Sequence, residues 1–333
     1  MINVGIIGFG KMGRIRAQAI EETDQAKIVS VYDNNPKACF DGYVSSNTPN
    51  EIISNTKIDA VFICTPNYLN MPLTIQALKA GKHVFCEKPP AFNSKEMQEI
   101  IIVEKMSCKK LMYGFNHRHH SSIVQMKNII DSGEYGKILW MRGRYGKSVD
   151  QNFFKTWRSK RETAGGGILL DQGIHMLDLF IMFGGGFDTV KADVSSLYWE
   201  QEIEDNVFAI YKNINTGVVA SLHSTMTQWR HLFSLELFLE RGYMVLNGLN
   251  TSSGTYGDEI LSIAKNRTTA PAATWEDEEH ITFHANSSWQ SEISHFFEYI
   301  ATDSKVKIGN SQEALELMIL IDLTYKEGTH ING

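Results

Sequence analysis

The sequence contains no block of lysine and arginine, no C-x-x-C pair, no internal repeat and no low-complexity segment. With 32 basic against 38 acidic residues the net charge is −6. That balance argues against nucleic acid or an anionic membrane as the main partner. The opening residues MINVGIIGFGKMG lack the basic n-region of a signal peptide, and no run of about 20 apolar residues is seen that would span a bilayer. Four cysteines, at 39, 64, 86 and 108, have no zinc spacing, so reduced thiols and a cytoplasmic location are expected. What is present is ordinary for a globular protein, with 43% hydrophobic and 21% charged residues and no disordered or collagen-like bias. A length of 333 residues gives room for roughly two domains, each able to bury its own core.

The first third alternates between two kinds of segment. INVGII (2–7), AKIVSVY (26–32), DAVFIC (59–64), KHVFC (82–86) and KLMYGF (110–115) are short β-branched and aromatic runs, the pattern of strands covered on both faces. Helical segments lie between them, at 71–81 with Pro near the start and Gly at the end, and at 94–107 with Ser94 as N-cap. Repeated strand–helix–strand order predicts a doubly wound parallel sheet with right-handed crossovers. After residue 118 the strands lengthen, at 137–146, 189–199, 206–213, 217–226, 232–240 and 242–248, several joined by short turns. Helices are expected at 288–302 and 311–327. The fold expected is an α/β Rossmann domain over 1–118, followed over 119–333 by an α+β domain with a large open, mainly antiparallel sheet.

Directly after the first strand, Gly8, Gly10 and Gly13 form G-x-G-x-x-G and open a helix. The first glycine permits a tight turn, the second lets backbone approach a pyrophosphate, and the third allows close helix–strand packing. Phe9, Lys11 and Met12 lie within that loop and are assigned to the cofactor with it. Asp33 ends the second strand, 20 residues past Gly13 (33 − 13), where a carboxylate accepts hydrogen bonds from the adenosine ribose. The same carboxylate would repel a 2′-phosphate, and the following Asn34 offers no compensating cation. NAD(H) is therefore favoured over NADP(H), with Lys37 the one nearby residue that weakens the inference.

Ligands of such a sheet bind beyond the carboxyl ends of its strands, where CTPNYLNMP (64–72) and CEKPP (86–90) lie. Pro89 forces Lys88 out of helical geometry. A partly desolvated lysine there suits proton transfer, and the alternative is a surface salt bridge with Glu87. In GGGILLDQGIHMLDL (165–179), Leu170, Ile174, Leu177 and Ile181 form an apolar stripe, with Asp171, His175 and Asp178 on the adjoining one. Asp171 and His175, four apart, are neighbours on one helix face, and a histidine is a natural base for a hydroxyl. The alternative is a solvated stripe on a packed helix. Gly165 to Gly167 are read as letting a ligand crowd the helix start.

G-x-G-x-x-G, TPN, EKP, WR and GGGxLLDxGIHxLD, in that order, resemble the glucose–fructose oxidoreductase / inositol dehydrogenase (Gfo/Idh/MocA) family along essentially the whole chain. The resemblance implies a Rossmann domain, a C-terminal sheet that mediates homodimer or homotetramer formation, and NAD(P)-dependent oxidation of a sugar or polyol hydroxyl. By position it implies a catalytic set of Lys88, Asp171 and His175, which also contact substrate across the interdomain cleft. Thr65, Pro66, Asn67, Glu87, Lys88 and Asn116 are assigned to the cofactor, and Arg118, Trp157 and Arg158 to the substrate. Asn70, where many members have histidine, and the dense NHRHH (116–120) depart from the family pattern.

Lys155, Arg158, Lys160 and Arg161, with Arg142 and Arg144 on one strand face, suggest an anion grip for a phosphorylated or nucleotide-linked sugar. A solvated loop and a charged edge strand explain them equally well. The HRHH run has no carboxylate or cysteine spaced to complete a metal site, so no metal is expected. Trp289, Phe296 and Phe297 read as core or interface, and 276–279 as a solvated turn. The expected activity is a redox interconversion of secondary hydroxyl and ketone on a carbohydrate. A redox-neutral NAD-dependent glycosidase and a non-catalytic dinucleotide or sugar sensor are the alternatives.

Overall fold

The computed structural model describes all residues except 36, 37, 39, 41, 266–269, 271, 272 and 329–333. Lys37 and Cys39 therefore lie outside the described residues. The chain divides into two compact units, one of Met1–Asn116, Glu162–Gly165 and Ser288–Ile319, the other of His117–Arg161, Gly166–Ser287 and Leu320–Gly333. The boundary expected at 118 falls at 116/117, but the first unit also takes back two later segments.

In the first unit, β1 (Ile2–Ile7), β2 (Ala26–Tyr32), β3 (Ala60–Ile63), β4 (His83–Glu87) and β5 (Leu111–Gly114) make a parallel sheet in the order β2-β1-β3-β4-β5. The connecting helices are α1 (Lys11–Glu21), α2 (Pro49–Ser54), α3 (Asn70–Lys79) and α4 (Ser94–Ser107). The N-cap of α4 is Asn93, not Ser94: its side chain accepts from the Glu96 N–H at 2.9 Å. Either residue type can cap, and here the extended backbone at Asn93 places its oxygen over the first turn.

The second unit begins with α5 (Ser121–Asp131) and β6 (Ile138–Ser148). A short α6 (Arg161–Ala164) and a π turn at Leu169–Gly173 lead into α7 (Ile174–Gly184). β7 (Thr189–Ser195), β8 (Asn206–Lys212), β9 (Val219–Thr225), β10 (Thr227–Leu239), β11 (Gly242–Asn247), β12 (Glu259–Lys265) and β13 (Glu279–Phe283) complete an eight-stranded sheet in the order β13-β12-β11-β10-β6-β9-β8-β7. All its pairings are antiparallel except β6 with β9. The sequence reading did not foresee β12 and β13. Segment 276–279 holds the end of a short 3₁₀ turn, Trp275–Asp277, and the first residue of β13.

The chain closes with α8 (Ser288–Ala301) and α9 (Ser311–Gly328). On α8, Ile293, Phe296 and Phe297 are buried in the core of the first unit with Phe62 and Phe85, which is why this late segment belongs there. The helical stretch Arg161–Gly184 is long and apolar enough to cross a membrane by length and average composition, although polar residues such as Asp171 and His175 interrupt it. However, 83% of the apolar window is buried inside the fold, as in a core helix.

Candidate active site

The three glycines after β1 meet three different constraints. Gly8 has φ of +90°, and a Cβ there would lie 2.5 Å from the Cys64 carbonyl oxygen. At Gly13 a Cβ would lie 2.1 Å from the Gly8 carbonyl oxygen. At Gly10 nothing among the described residues comes within 4 Å. A backbone left bare where no protein atom needs the room fits close approach by a ligand phosphate. Asp33 accepts from the Phe9 N–H at 2.7 Å and the Asn35 N–H at 2.8 Å, which ties the loop to the end of β2. The Phe9 ring is buried against Phe40 and Tyr43, so Phe9 offers this loop its backbone. Lys11 and Asn34 are exposed and Met12 is half-buried. A glycine loop open at Gly10 and tied by Asp33 to the end of β2 fits a dinucleotide.

Two further loops of this unit are joined by a residue that stood out in the sequence only as a departure. Asn70 is fully buried at the start of α3. Its amide donates to the carbonyls of Glu87 at 3.2 Å and Pro89 at 2.8 Å, and its oxygen accepts from the Thr65 hydroxyl at 3.2 Å. Lys88 is half-buried between those two carbonyls, and its peptide bond to Pro89 is cis. Asn67, expected on the cofactor, donates its amide to the Ala164 carbonyl at 2.8 Å. Glu87 faces inward to Arg16 at 2.6 Å, and Arg16 also holds Glu292 at 2.6 Å. Asn116 donates to the Ser288 hydroxyl at 3.3 Å.

In the second unit the π turn separates the two polar residues read as one stripe. Asp171, in the turn, is half-exposed and ion-paired with Lys147 of β6, a residue the sequence reading did not single out. His175 and Asp178, in α7, are buried. The His175 ring stacks on His117, with centroids 3.9 Å apart and planes 19° from parallel. Asp178 binds Arg118 bidentately, at 2.8 Å to Nε and 2.6 Å to Nη2. Arg118, assigned to substrate, is thus held by a buried carboxylate. His120 bonds Glu259 at 3.0 Å. Burial pushes the Glu259 carboxyl up, but His120, Ser122 and the Asn250 N–H outweigh that and hold it below the usual range.

Each glycine before this helix has protein atoms packed where a side chain would start, so glycine is required there by packing. A Cβ on Gly165 would lie 2.5 Å from the Phe92 ring, on Gly166 2.1 Å from the Tyr325 hydroxyl, and on Gly167 2.0 Å from the Glu204 carbonyl oxygen. Glu204, also missed in the sequence, accepts from the N–H groups of Gly167 at 2.8 Å and Leu169 at 3.1 Å and from Tyr325 at 2.8 Å. It satisfies donors a helix start leaves open.

The basic residues considered for an anion have partners of their own. Arg142 binds Glu236 at 2.7 and 3.0 Å, Arg161 the Glu202 carbonyl and Lys155 the Asn152 side chain. Arg144 reaches the Ser234 hydroxyl at 3.4 Å. Arg158 is exposed and lies over the half-buried Trp157 ring at 4.5 Å.

Residues 2–115 match the family model of an oxidoreductase family with an NAD-binding Rossmann fold, and residues 123–245 match the GFO/IDH/MocA C-terminal domain. The chain is 30% identical over 221 residues to a levoglucosan dehydrogenase of Pseudarthrobacter phenanthrenivorans, covering 61% of this chain and 56% of that protein. It is 31% identical over 198 residues to a D-glucoside 3-dehydrogenase of Escherichia coli, covering 57% of this chain and 56% of that protein. The chain thus aligns with little more than half the length of each of these relatives. The solved structure of a levoglucosan dehydrogenase in complex with NADH and levoglucosan superposes with a TM-score of 0.86 at 24% identity, over 98% of this chain and 97% of that one.

Proposed function

Because the chain belongs to the Gfo/Idh/MocA oxidoreductase family, we propose that it is an NAD-dependent dehydrogenase. It interconverts a secondary hydroxyl and a ketone on a neutral sugar or cyclic polyol. The observation that supports this reading is the glycine loop: of its three glycines only Gly10 has no described atom within 4 Å of an added Cβ, and Asp33 anchors the loop, where a carboxylate would repel a 2′-phosphate. NAD supplies the hydride acceptor for the substrate carbon, and NADH the donor in the reverse direction.

The protein's own residues handle the oxygen and its proton. His175 takes the hydroxyl proton and returns it on ketone reduction. Lys88 donates a hydrogen bond to the same oxygen and stabilises its developing negative charge. Asp171, its charge balanced by Lys147, orients a neighbouring substrate hydroxyl. A neutral substrate is favoured because Arg142 is already charge-paired with Glu236, and the two named relatives are a levoglucosan and a D-glucoside dehydrogenase.

The enzyme works as a homo-oligomer through the outer face of the eight-stranded sheet. That face carries the Trp140–Phe238 stack at 4.1 Å, the Phe208–His223 stack at 3.8 Å and exposed Ile210. Sedimentation at micromolar concentration tests this, and a monomer overturns it.

The activity is tested by offering neutral polyols, glycosides, sugar phosphates and nucleotide sugars with NAD+ or NADP+ and following absorbance of the reduced cofactor. Lys88→Ala is expected to lower kcat by about 10²–10⁴-fold while NADH affinity stays within about threefold. Unchanged turnover overturns the role of Lys88. Cleavage of an aryl glycoside without net NADH overturns the dehydrogenase reading.

A further inference from the structure

The run NHRHH departs from the family pattern, and the proposed chemistry leaves it unused. Its 3₁₀ turn, Asn116–His119, is followed at once by α5. His117 and Arg118 both bind α7, and they bind it three residues apart, at His175 and Asp178. A bidentate guanidinium–carboxylate pair fixes distance and angle together, so Arg118 sets where His117 lies along the helix. The far edge of His117 is fixed as well, because its Nε2 bonds the Tyr145 hydroxyl at 3.1 Å. Tyr145 is itself buried, edge-on to Phe233 at 5.2 Å and to Tyr256 at 5.4 Å. His117 is thus a plate held at two points, with the His175 ring lying flat upon it.

The chemical consequence concerns direction. The torsion that turns a histidine ring about its Cβ–Cγ bond has broad, shallow wells. The lone pair that accepts a proton lies in the ring plane, so a ring free to rock aims its base poorly. A flat partner stacked on the ring face, as His117 is at 3.9 Å, limits that rocking.

We propose that His117 is a positioning residue for His175: anchored by Tyr145 and by the Arg118–Asp178 pair, its imidazole fixes the plane of the His175 ring and so aims its proton-accepting nitrogen at the substrate hydroxyl. This rests on the proposed role of His175 as the group that takes the proton.

The test compares His117→Leu, which keeps volume but not flatness, with His117→Phe, which keeps a flat ring. In His117→Leu, kcat is expected to fall about 10- to 100-fold, the scale of a misaimed reacting group, with KM and NADH affinity within about threefold. In His117→Phe, which keeps the flat ring but loses the bond to Tyr145, kcat is expected to fall by about 3- to 10-fold, less than in His117→Leu. The imidazole C–H resonance of His175, assigned by its loss in His175→Gln, reads the stack directly in the cofactor-free protein. The ring current of a partner at 3.9 Å shifts it upfield, and that shift is lost in His117→Leu and kept in His117→Phe. Should His117→Leu fail to fold, Tyr145→Phe, which removes only the tether, carries the test with an expected loss in kcat of about 3- to 10-fold.

Equal losses in the Leu and Phe variants, or wild-type kcat in His117→Leu, overturn the proposal. In the fallback, wild-type kcat in Tyr145→Phe does so. A His175 resonance that does not move in His117→Leu also overturns it. Turnover that survives His175→Gln overturns the role of His175 and this proposal together. Turnover lost in His175→Gln but unchanged in His117→Leu overturns this proposal alone.

Discussion

The side-chain amide of Asn70 donates to the Pro89 carbonyl at 2.8 Å, and through that bond the start of α3 holds the far end of the Lys88 loop. The second amide bond, to the Glu87 carbonyl, and the half-buried Thr65 hydroxyl complete a bridge centred on the fully buried Asn70. Asn70→Leu keeps the volume and leaves two carbonyls and a hydroxyl without this partner, at a cost of about 1–3 kcal/mol per orphaned buried group. Denaturant unfolding is expected to show a loss in that range. Steady-state kinetics should show kcat/KM falling by about 10-fold or more while NADH affinity changes less. Equal losses in both would place Asn70 at the cofactor instead.

Arg16 is buried between Glu87 and Glu292, with its guanidinium over the rings of Phe85 at 4.4 Å and Trp289 at 4.7 Å. Burial opposes its charge, but the two carboxylates outweigh that and raise its pKa further above the ordinary range. Arg16→Met is expected to cost about 3–5 kcal/mol, because it strands two buried carboxylates. Adding Glu292→Leu should recover part of that loss, since an apolar side chain removes one stranded charge. Chemical unfolding of both variants checks the order. If the double variant is less stable than the single one, the cost comes from lost packing instead.

How far the sequence speaks depends on whether a feature is local. The five parallel strands are local: Val4, Ile6, Val61 and Phe85 sit in short β-branched and aromatic runs that only a doubly covered sheet accommodates. The assignment of α8 to the first unit is not local. The stripe Ile293, Phe296 and Phe297 fits any core, and only the positions of Phe62 and Phe85 decide which. The π turn has no residue signature, so Asp171 and His175 read as one helix face although they hold different partners. Gly165 to Gly167 give no sign in the sequence of the residues packed where their side chains would start, because Phe92, Tyr325 and Glu204 are distant in sequence. Lys147 ends a strand like any solvated lysine until Asp171 is brought to it.

Gly10 and Gly13 give a paired prediction in which one methyl group has two different effects. Gly13→Ala drives a Cβ to 2.1 Å from the Gly8 carbonyl oxygen, and backbone cannot yield as a side-chain end does, so a loss of about 1–3 kcal/mol is expected. Gly10→Ala meets no described protein atom within 4 Å, so stability should hold to within about 0.5 kcal/mol. The added methyl does fill the approach to a bound pyrophosphate, and NADH affinity is expected to fall by about 10-fold or more. Thermal unfolding without cofactor and fluorescence titration with NADH separate the two effects. Unchanged NADH affinity in Gly10→Ala would mean that the phosphates do not lie on this loop.

His83, at the start of β4, gives the stability a dependence on pH that is separable from catalysis. Its Nδ1 accepts the Lys110 backbone N–H at 3.1 Å, a bond only the neutral imidazole can make. Burial first, then the nearby Lys109 and Lys110, lowers its pKa from 6.5 to about 4. Above about pH 6.5 neither the folded nor the unfolded chain protonates this group, and its contribution to stability is fully present. Between about pH 6.5 and 4 the unfolded chain takes up a proton that the folded chain refuses, so stability falls as the pH falls. Below about pH 4 both states hold the proton and the slope from this group ends. His83→Asn keeps an acceptor near the Nδ1 position but cannot titrate. Urea unfolding at several pH values between 7.5 and 4 is therefore expected to show a shallower decline for His83→Asn than for wild type. Parallel curves would mean that the folded protein accepts the proton at His83 near its ordinary pKa.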